Sequence, residues 1–146
     1  MLDTIQAINR TASFNRWAGF EVHRAADGEA ELRMNWREED MGQYAGFLHA
    51  GMIAALLDTV SGYAASTKAG RVLASHFSVN CISPAIGRAF VARGRVVKAG
   101  RKQVFVAAEL YAQPEGKGED ALKLVATGNA ILVPVELEAL QPKPAA

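Results

Sequence analysis

The chain has 146 residues, half of them apolar and about a fifth charged, which suits one ordinary globular core and is too short for two. The one cysteine, Cys81, excludes an intrachain disulfide, and His23, His49 and His76 stand too far apart for a spaced metal motif, so no metal and no bound cofactor is expected. Net charge is +1 but uneven: five basic and nine acidic side chains over residues 1–58, eight and none over 59–108, three and six over 109–146. That balance speaks against a nucleic-acid binder and leaves either a solvated basic face or a local site for a phosphorylated small molecule.

In chain order, MLDTIQAINR lacks the basic start and apolar core of a signal peptide, and a cytoplasmic location is the expectation. Apolar residues at Leu2, Ile5, Ile8 and Ala12 predict a short peripheral helix over Leu2–Ser13. Gly19–Ala26 and Glu29–Arg37 flank Asp27-Gly28 and predict a hairpin. Its second arm alternates Ala30, Leu32, Met34 and Trp36 with Glu31, Arg33, Asn35 and Arg37, as a half-buried strand does. Glu38–Leu48 reads as a loop. Ala50 to about Ser66 reads as a helix, apolar nearly all round and therefore buried, closed by Lys68-Ala69-Gly70. It is interrupted by Asp58 and too short for the roughly 20 residues of a membrane span.

Strands follow at Val72–Ile82, Arg88–Lys98, Gln103–Ala112 and Leu122–Val133, separated by Ser83-Pro84, Gly100 and Pro114–Gly118. Connections this short require antiparallel pairing, so the fold class is α+β: a curved antiparallel sheet around one long central helix. Residues 1–140 read as a single domain, with 1–14 as its peripheral N-terminal helix and 141–146 as a flexible tail.

Between Asp40 and Lys68 the one formally charged side chain is Asp58. A carboxylate in an apolar helix is unfavourable unless it is solvated, paired or neutralised, and no cation stands within one helical turn of it. It either caps a neighbouring backbone, faces a wet groove, or does chemistry.

The constellation Gln43-x5-His49-Ala50-Gly51-x6-Asp58, then Ser83-Pro84-Ala85 and a Gly100-Arg101 turn, resembles the hotdog-fold acyl-CoA thioesterases of the phenylacetate-pathway (PaaI-like) type. The resemblance covers about residues 15–135 and departs from the family at Ala50, where glycine is common. It implies that Asp58 activates water against the thioester carbonyl or attacks the carbonyl itself. It also implies that backbone N–H groups at Ala50 and Gly51 meet the oxyanion, that Gln43 positions water or polarises the carbonyl, and that His49 supports the loop.

Coenzyme A, part of the substrate, would meet Arg101 foremost, with Lys98 and Lys102 adding charge. Ser83, Phe47 and Met52 would line the substrate site, although the last two fit a plain core equally well. Arg88, Arg93 and Arg95 share the basic stretch, but the last two alternate as a solvated sheet face does. His76 and Ser78 lie on a strand where the family sometimes adds a polar group.

Ala50 and Asp58 lie about 12 Å apart along a helix at about 1.5 Å per residue, too far for one thioester carbon to touch both. The resemblance implies that the family completes its sites across a dimer, with assembly to a dimer of dimers left open. An acyl-thioester dehydratase is a rival disfavoured by Gln43 where its histidine would stand, and a non-catalytic acyl-CoA binder is disfavoured by Asp58. No nucleic acid or membrane is expected as a partner.

Overall fold

A computed structural model of the protein describes residues 1–136; the tail expected at 141–146 lies outside them. The elements are helices α1 (Leu2–Thr11) and α2 (Ser13–Ala18), strands β1 (Glu21–Ala26) and β2 (Glu29–Asn35), the short helix α3 (Glu38–Met41) and the long helix α4 (Ala50–Ala69). Strands β3 (Val72–Cys81), β4 (Ala89–Ala99), β5 (Val104–Gln113) and β6 (Lys123–Pro134) follow. All six strands form one antiparallel sheet in the order β1-β2-β4-β5-β6-β3, and α4 packs against it, giving the expected α+β architecture.

The hairpin turn is where its sequence puts it. Asp27 and Gly28 both take positive φ, 54° and 81°, as a two-residue turn between twisted strands demands. The Gly28 N–H then donates to Thr67 Oγ1 at 2.7 Å, tying the hairpin to the last turn of α4.

Three expectations are corrected. The N-terminal helix is two helices, because Ala12 is extended (φ −85°, ψ 116°) and Thr11 Oγ1 donates to the Ile8 carbonyl at 2.7 Å. Arg37 donates to the Trp17 and Ala18 carbonyls at 2.6 and 3.2 Å, placing a cation at the C-terminal end of α2. The loop at Glu38–Leu48 contains one helical turn, α3, whose Met41 is buried in the core.

The third correction concerns α4. Met52, Ile53, Leu56, Leu57, Val60 and Ala64 are buried in the core, but Ala54, Ala55, Asp58, Thr59, Gly62 and Ser66 are only half-buried. This second stripe is built of small side chains, so the helix reads as apolar all round while one side of it stays accessible in the chain. Beside it runs β3, hydrogen-bonded among the described residues to β6 alone, with Leu73 and Phe77 52% and 44% exposed. Among the described residues no helix is long and apolar enough to cross a membrane.

Candidate active site

Helix α4 begins at a cap that the sequence builds locally. His49 is its N-cap residue, and His49 Nδ1 accepts the Gly51 N–H at 2.8 Å. Because Nδ1 is the acceptor, the neutral ring carries its proton on Nε2. The imidazole lies so close over Gly51 that a Cβ there would stand 2.9 Å from Nδ1. Glycine at 51 is thus set by the histidine two residues before it. The Gly51 N–H is spent on this bond. The Ala50 N–H has no acceptor among the described residues and is an orphan donor at the positive end of a 20-residue helix.

The loop before the cap is organised by Gln43. Its Oε1 accepts from the backbone N–H groups of Ala45 and of Phe47, the latter at 3.2 Å. The Gln43 N–H donates to the Phe47 carbonyl at 2.8 Å, and Gly42 and Leu48 close a bridge around it. Two backbone donors facing the same amide atom identify that atom as oxygen. The amide nitrogen has no acceptor among the described residues, which leaves both of its protons uncommitted there.

Gln43, Phe47, His49, Ala50 and Ser83 all line one cavity of about 610 Å³, floored by Ile53 and bounded by Cys81 at the end of β3. Two other expected site residues are not in it. Met52 is buried in the core at 7% exposure, and Gly51 stands beside the cavity rather than in its wall.

Asp58 is elsewhere. It lines a second cavity, of about 660 Å³, together with Thr59, Gly62, Tyr63 and Ser66 of α4, Arg71 to Ala74 at the start of β3, and residues of α1 and α2. Among the described residues its carboxylate has neither a hydrogen bond nor an ion pair. It caps no backbone, and burial pushes its pKa above the ordinary carboxylate range. The sequence reading passed over Arg71 and Thr59; Arg71 had a faint signal as a member of the basic stretch, Thr59 none.

Lys98, Arg101 and Lys102 are exposed and line neither cavity. Arg101 and Lys102 sit in a tight turn closed by the Gly100 N–H to the Gln103 carbonyl at 2.8 Å. Register locates that turn: Val104 pairs with Leu132, and Leu132 with Ala74, so it extends beyond the end of the sheet that carries the Asp58 cavity. Arg93 is engaged otherwise, with Glu31 at 2.8 Å and over the Tyr111 ring. His76 and Ser78 lie exposed on β3 and line neither cavity. Among the described residues no group of three His, Cys, Asp or Glu side chains gathers as metal ligands.

Two measurements test this geometry. If the His49 ring fixes the need for glycine at 51, Gly51→Ala will be neutral or destabilising in the wild-type chain but stabilising in a His49→Ala background. The coupling should be about 1 kcal/mol, the usual worth of a cap, in chemical denaturation; additive effects would refute the contact.

For Asp58, the folded chain holds the carboxyl proton to higher pH than the unfolded chain does. Folded stability is therefore lost as pH rises from the ordinary value, about 4, through the raised one. Asp58→Asn should melt above wild type at pH 7, with the difference closing below about pH 4; equal melting temperatures at pH 7 would mean a well-solvated carboxylate.

The fold has relatives. A family model described as the thioesterase superfamily matches residues 45–119. A thioesterase family protein from Silicibacter pomeroyi superposes with a TM-score of 0.82 at 31% identity, covering 88% of this chain and 93% of its own. The E. coli PaaI protein of the phenylacetic acid degradation operon shares the fold at a TM-score of 0.80 and 18% identity, over 93% and 97% of the two chains. A Streptococcus mutans protein solved with acetyl-CoA bound does so at 0.68 and 21%, over 78% and 86%. No curated protein sequence matches the chain. The family match and the Silicibacter pomeroyi relative agree: this chain belongs to the thioesterase superfamily and is a hotdog-fold thioester hydrolase.

Proposed function

We propose that the protein hydrolyses acyl-CoA thioesters of aryl or medium-chain acyl groups, releasing the free acid and coenzyme A, at sites completed by two copies of the chain. The observation that carries this reading is the division of the machinery. Two uncommitted donors, the Gln43 amide and the Ala50 N–H, face one cavity, and an unpaired carboxylate, Asp58, faces another. Neither half suffices alone. An oxyanion needs donors at its oxygen, and a thioester carbon needs a base or nucleophile within bonding reach.

The free edge of β3 supplies the way to join them. Cys81, at its end, borders the donor cavity, and Val72 to Ala74, at its start, border the Asp58 cavity. A second copy pairing antiparallel along this edge brings the end of one β3 beside the start of the other. The donor cavity of one chain then opens onto the Asp58 cavity of its partner, twice by symmetry. The small stripe on α4 and the exposed Phe77 are the surface such a pairing would cover.

In each completed site the Ala50 N–H and the Gln43 amide meet the carbonyl oxygen. Asp58 takes a proton from the attacking water or adds to the carbonyl itself; either route needs it ionised, and its partial desolvation raises its basicity. His49 holds the helix start in place. Arg101, Lys98 and Lys102 lie at the sheet end nearest Asp58, where they would receive the coenzyme A phosphates, and the acetyl-CoA bound by the Streptococcus mutans relative supports a ligand of this class. No cofactor is required.

Asp58→Asn should lower turnover by about two orders of magnitude or more with the fold intact. Mixing Gln43→Ala and Asp58→Asn chains, each first shown to be folded and nearly inactive, then refolding them together, should restore about a quarter of wild-type activity. Half the randomly paired dimers would be mixed, and in each of those one site would carry both lesions and the other none. No recovery from two folded, inactive parents would reject the site between chains.

A further inference from the structure

Helices α1 and α2 have so far had no part in the reaction, yet they form one wall of the Asp58 cavity through Ile8, Thr11, Ala12 and Asn15. The wall is fastened by a closed polar network. Asn9 Oδ1 accepts from Tyr63 Oη at 2.9 Å and from Asn15 Nδ2 at 3.1 Å, and Asn15 Nδ2 also reaches Tyr63 Oη at 3.0 Å. Asn9, 6% exposed, spends its own Nδ2 on the Phe20 carbonyl at 2.7 Å.

Tyr63 stands five residues beyond Asp58 on the same helix, so the network fixes both N-terminal helices relative to the carboxylate. A network of buried and half-buried groups that bond one another holds geometry more narrowly than apolar contact does.

In its lining the cavity sets large aliphatic side chains among polar ones, Thr11 and Asn15 of this wall included. Ile8 and Leu73, both lining it, are 46% and 52% exposed, and Leu132 lies behind. Large aliphatic side chains left half-exposed inside a cavity of about 660 Å³ fit an apolar ligand. The one cation in the lining, Arg71, sits at the start of β3.

We propose that α1 and α2 are the specificity wall of the acyl compartment: Ile8, Thr11 and Ala12 set how long an acyl chain the Asp58 cavity takes in. This rests on the reading that the thioester carbon meets Asp58, because one arm of the thioester must then run into this cavity. The coenzyme A arm is polar and polyanionic, so the acyl arm is the one that suits it. Ala12, at the break between the two helices, contributes only a methyl group there and leaves the compartment deep.

The test uses coenzyme A thioethers with ethyl, hexyl and decyl chains on sulfur, their affinities measured by calorimetry on the full chain. Thioethers have no carbonyl, so their binding does not depend on the chemistry assigned to Asp58, Gln43 or Ala50. In the wild type, affinity should rise with chain length, by up to about fourfold per methylene. In Ala12→Phe the rise should stop several carbons earlier, and the decyl-to-ethyl affinity ratio should fall at least tenfold.

Ile8→Trp, at a half-exposed position that tolerates substitution, should act in the same direction and decides the matter if Ala12→Phe fails to fold. A wild-type affinity indifferent to chain length, or a ratio unchanged in the folded variants, overturns the wall. A fallen ratio alongside a fully active Asp58→Asn enzyme keeps the wall and removes the catalytic reading; an inactive Asp58→Asn with an unmoved ratio does the reverse.

Discussion

A rigid helix cannot bring its own first turn and its ninth residue to one atom. Helix α4 starts at Ala50 and carries Asp58 about 12 Å further along its axis, at about 1.5 Å per residue. Everything around it follows that separation. The cavity at the helix start collects donors: the orphan Ala50 N–H and the Gln43 amide nitrogen, whose oxygen is already held by Ala45 and Phe47. The cavity at Asp58 collects no hydrogen-bond partner for the carboxylate. A chain that needed only to fold would lose nothing by placing a neutral residue at 58. This one keeps a carboxylate whose burial opposes its ionisation.

Much of this was legible in the sequence, where local chemistry decides. Asp27-Gly28 announces its hairpin because positive φ at both residues has few other sources, and the strand boundaries follow the prolines and glycines between them. The isolation of Asp58 on α4 is visible as a lone charge. The strand order was not legible: which strands lie at the edges is settled by tertiary packing, and nothing within Val72–Cys81 marks it as one of the two strands with a single neighbour. The break at Ala12 was hidden for the opposite reason, being too local. An alanine continues most helices, and here a Thr11 hydroxyl bond and the anchoring of α2 by Arg37 end the first one.

The uneven charge along the chain resolves in the same way. Glu31 stands opposite Arg93 and Glu29 opposite Arg95, so the acidic first third and the basic middle meet as cross-strand neighbours on β2 and β4. The Arg93 guanidinium also lies over Tyr111. That part of the basic stretch is sheet-face pairing, as the alternation of Arg93 and Arg95 suggested. Subtracting it leaves six, Lys68 and Arg88 together with Arg71, Lys98, Arg101 and Lys102, the last four toward the end of the sheet where β5 begins and β3 starts. A fold that takes a quarter of a charge run into cross-strand pairs and gathers half of it at one end concentrates its field there, near the cavity that holds the carboxylate.

That concentration bears on how one small fold separates the two arms of a thioester. The apolar part of the lining beside Asp58 comes from Ile8 of α1, from Ala12 and from the start of β3, while the cations of the β4–β5 turn stand outside it, one strand pairing further along. The acyl arm gains by leaving water and the phosphate-bearing arm loses by it, so the two are sorted by the same solvent boundary. Asp58 stands half-buried at that boundary. Deeper burial would hold its proton, and full exposure would return it to an ordinary, weakly basic carboxylate. With the acyl arm in the compartment proposed for it, the position of α1 and α2 touches two properties at once, the volume left for the acyl group and the water left around the carboxylate. A substitution in the N-terminal helices that changes chain-length preference should, on this physics, also move the pH at which the enzyme gains activity.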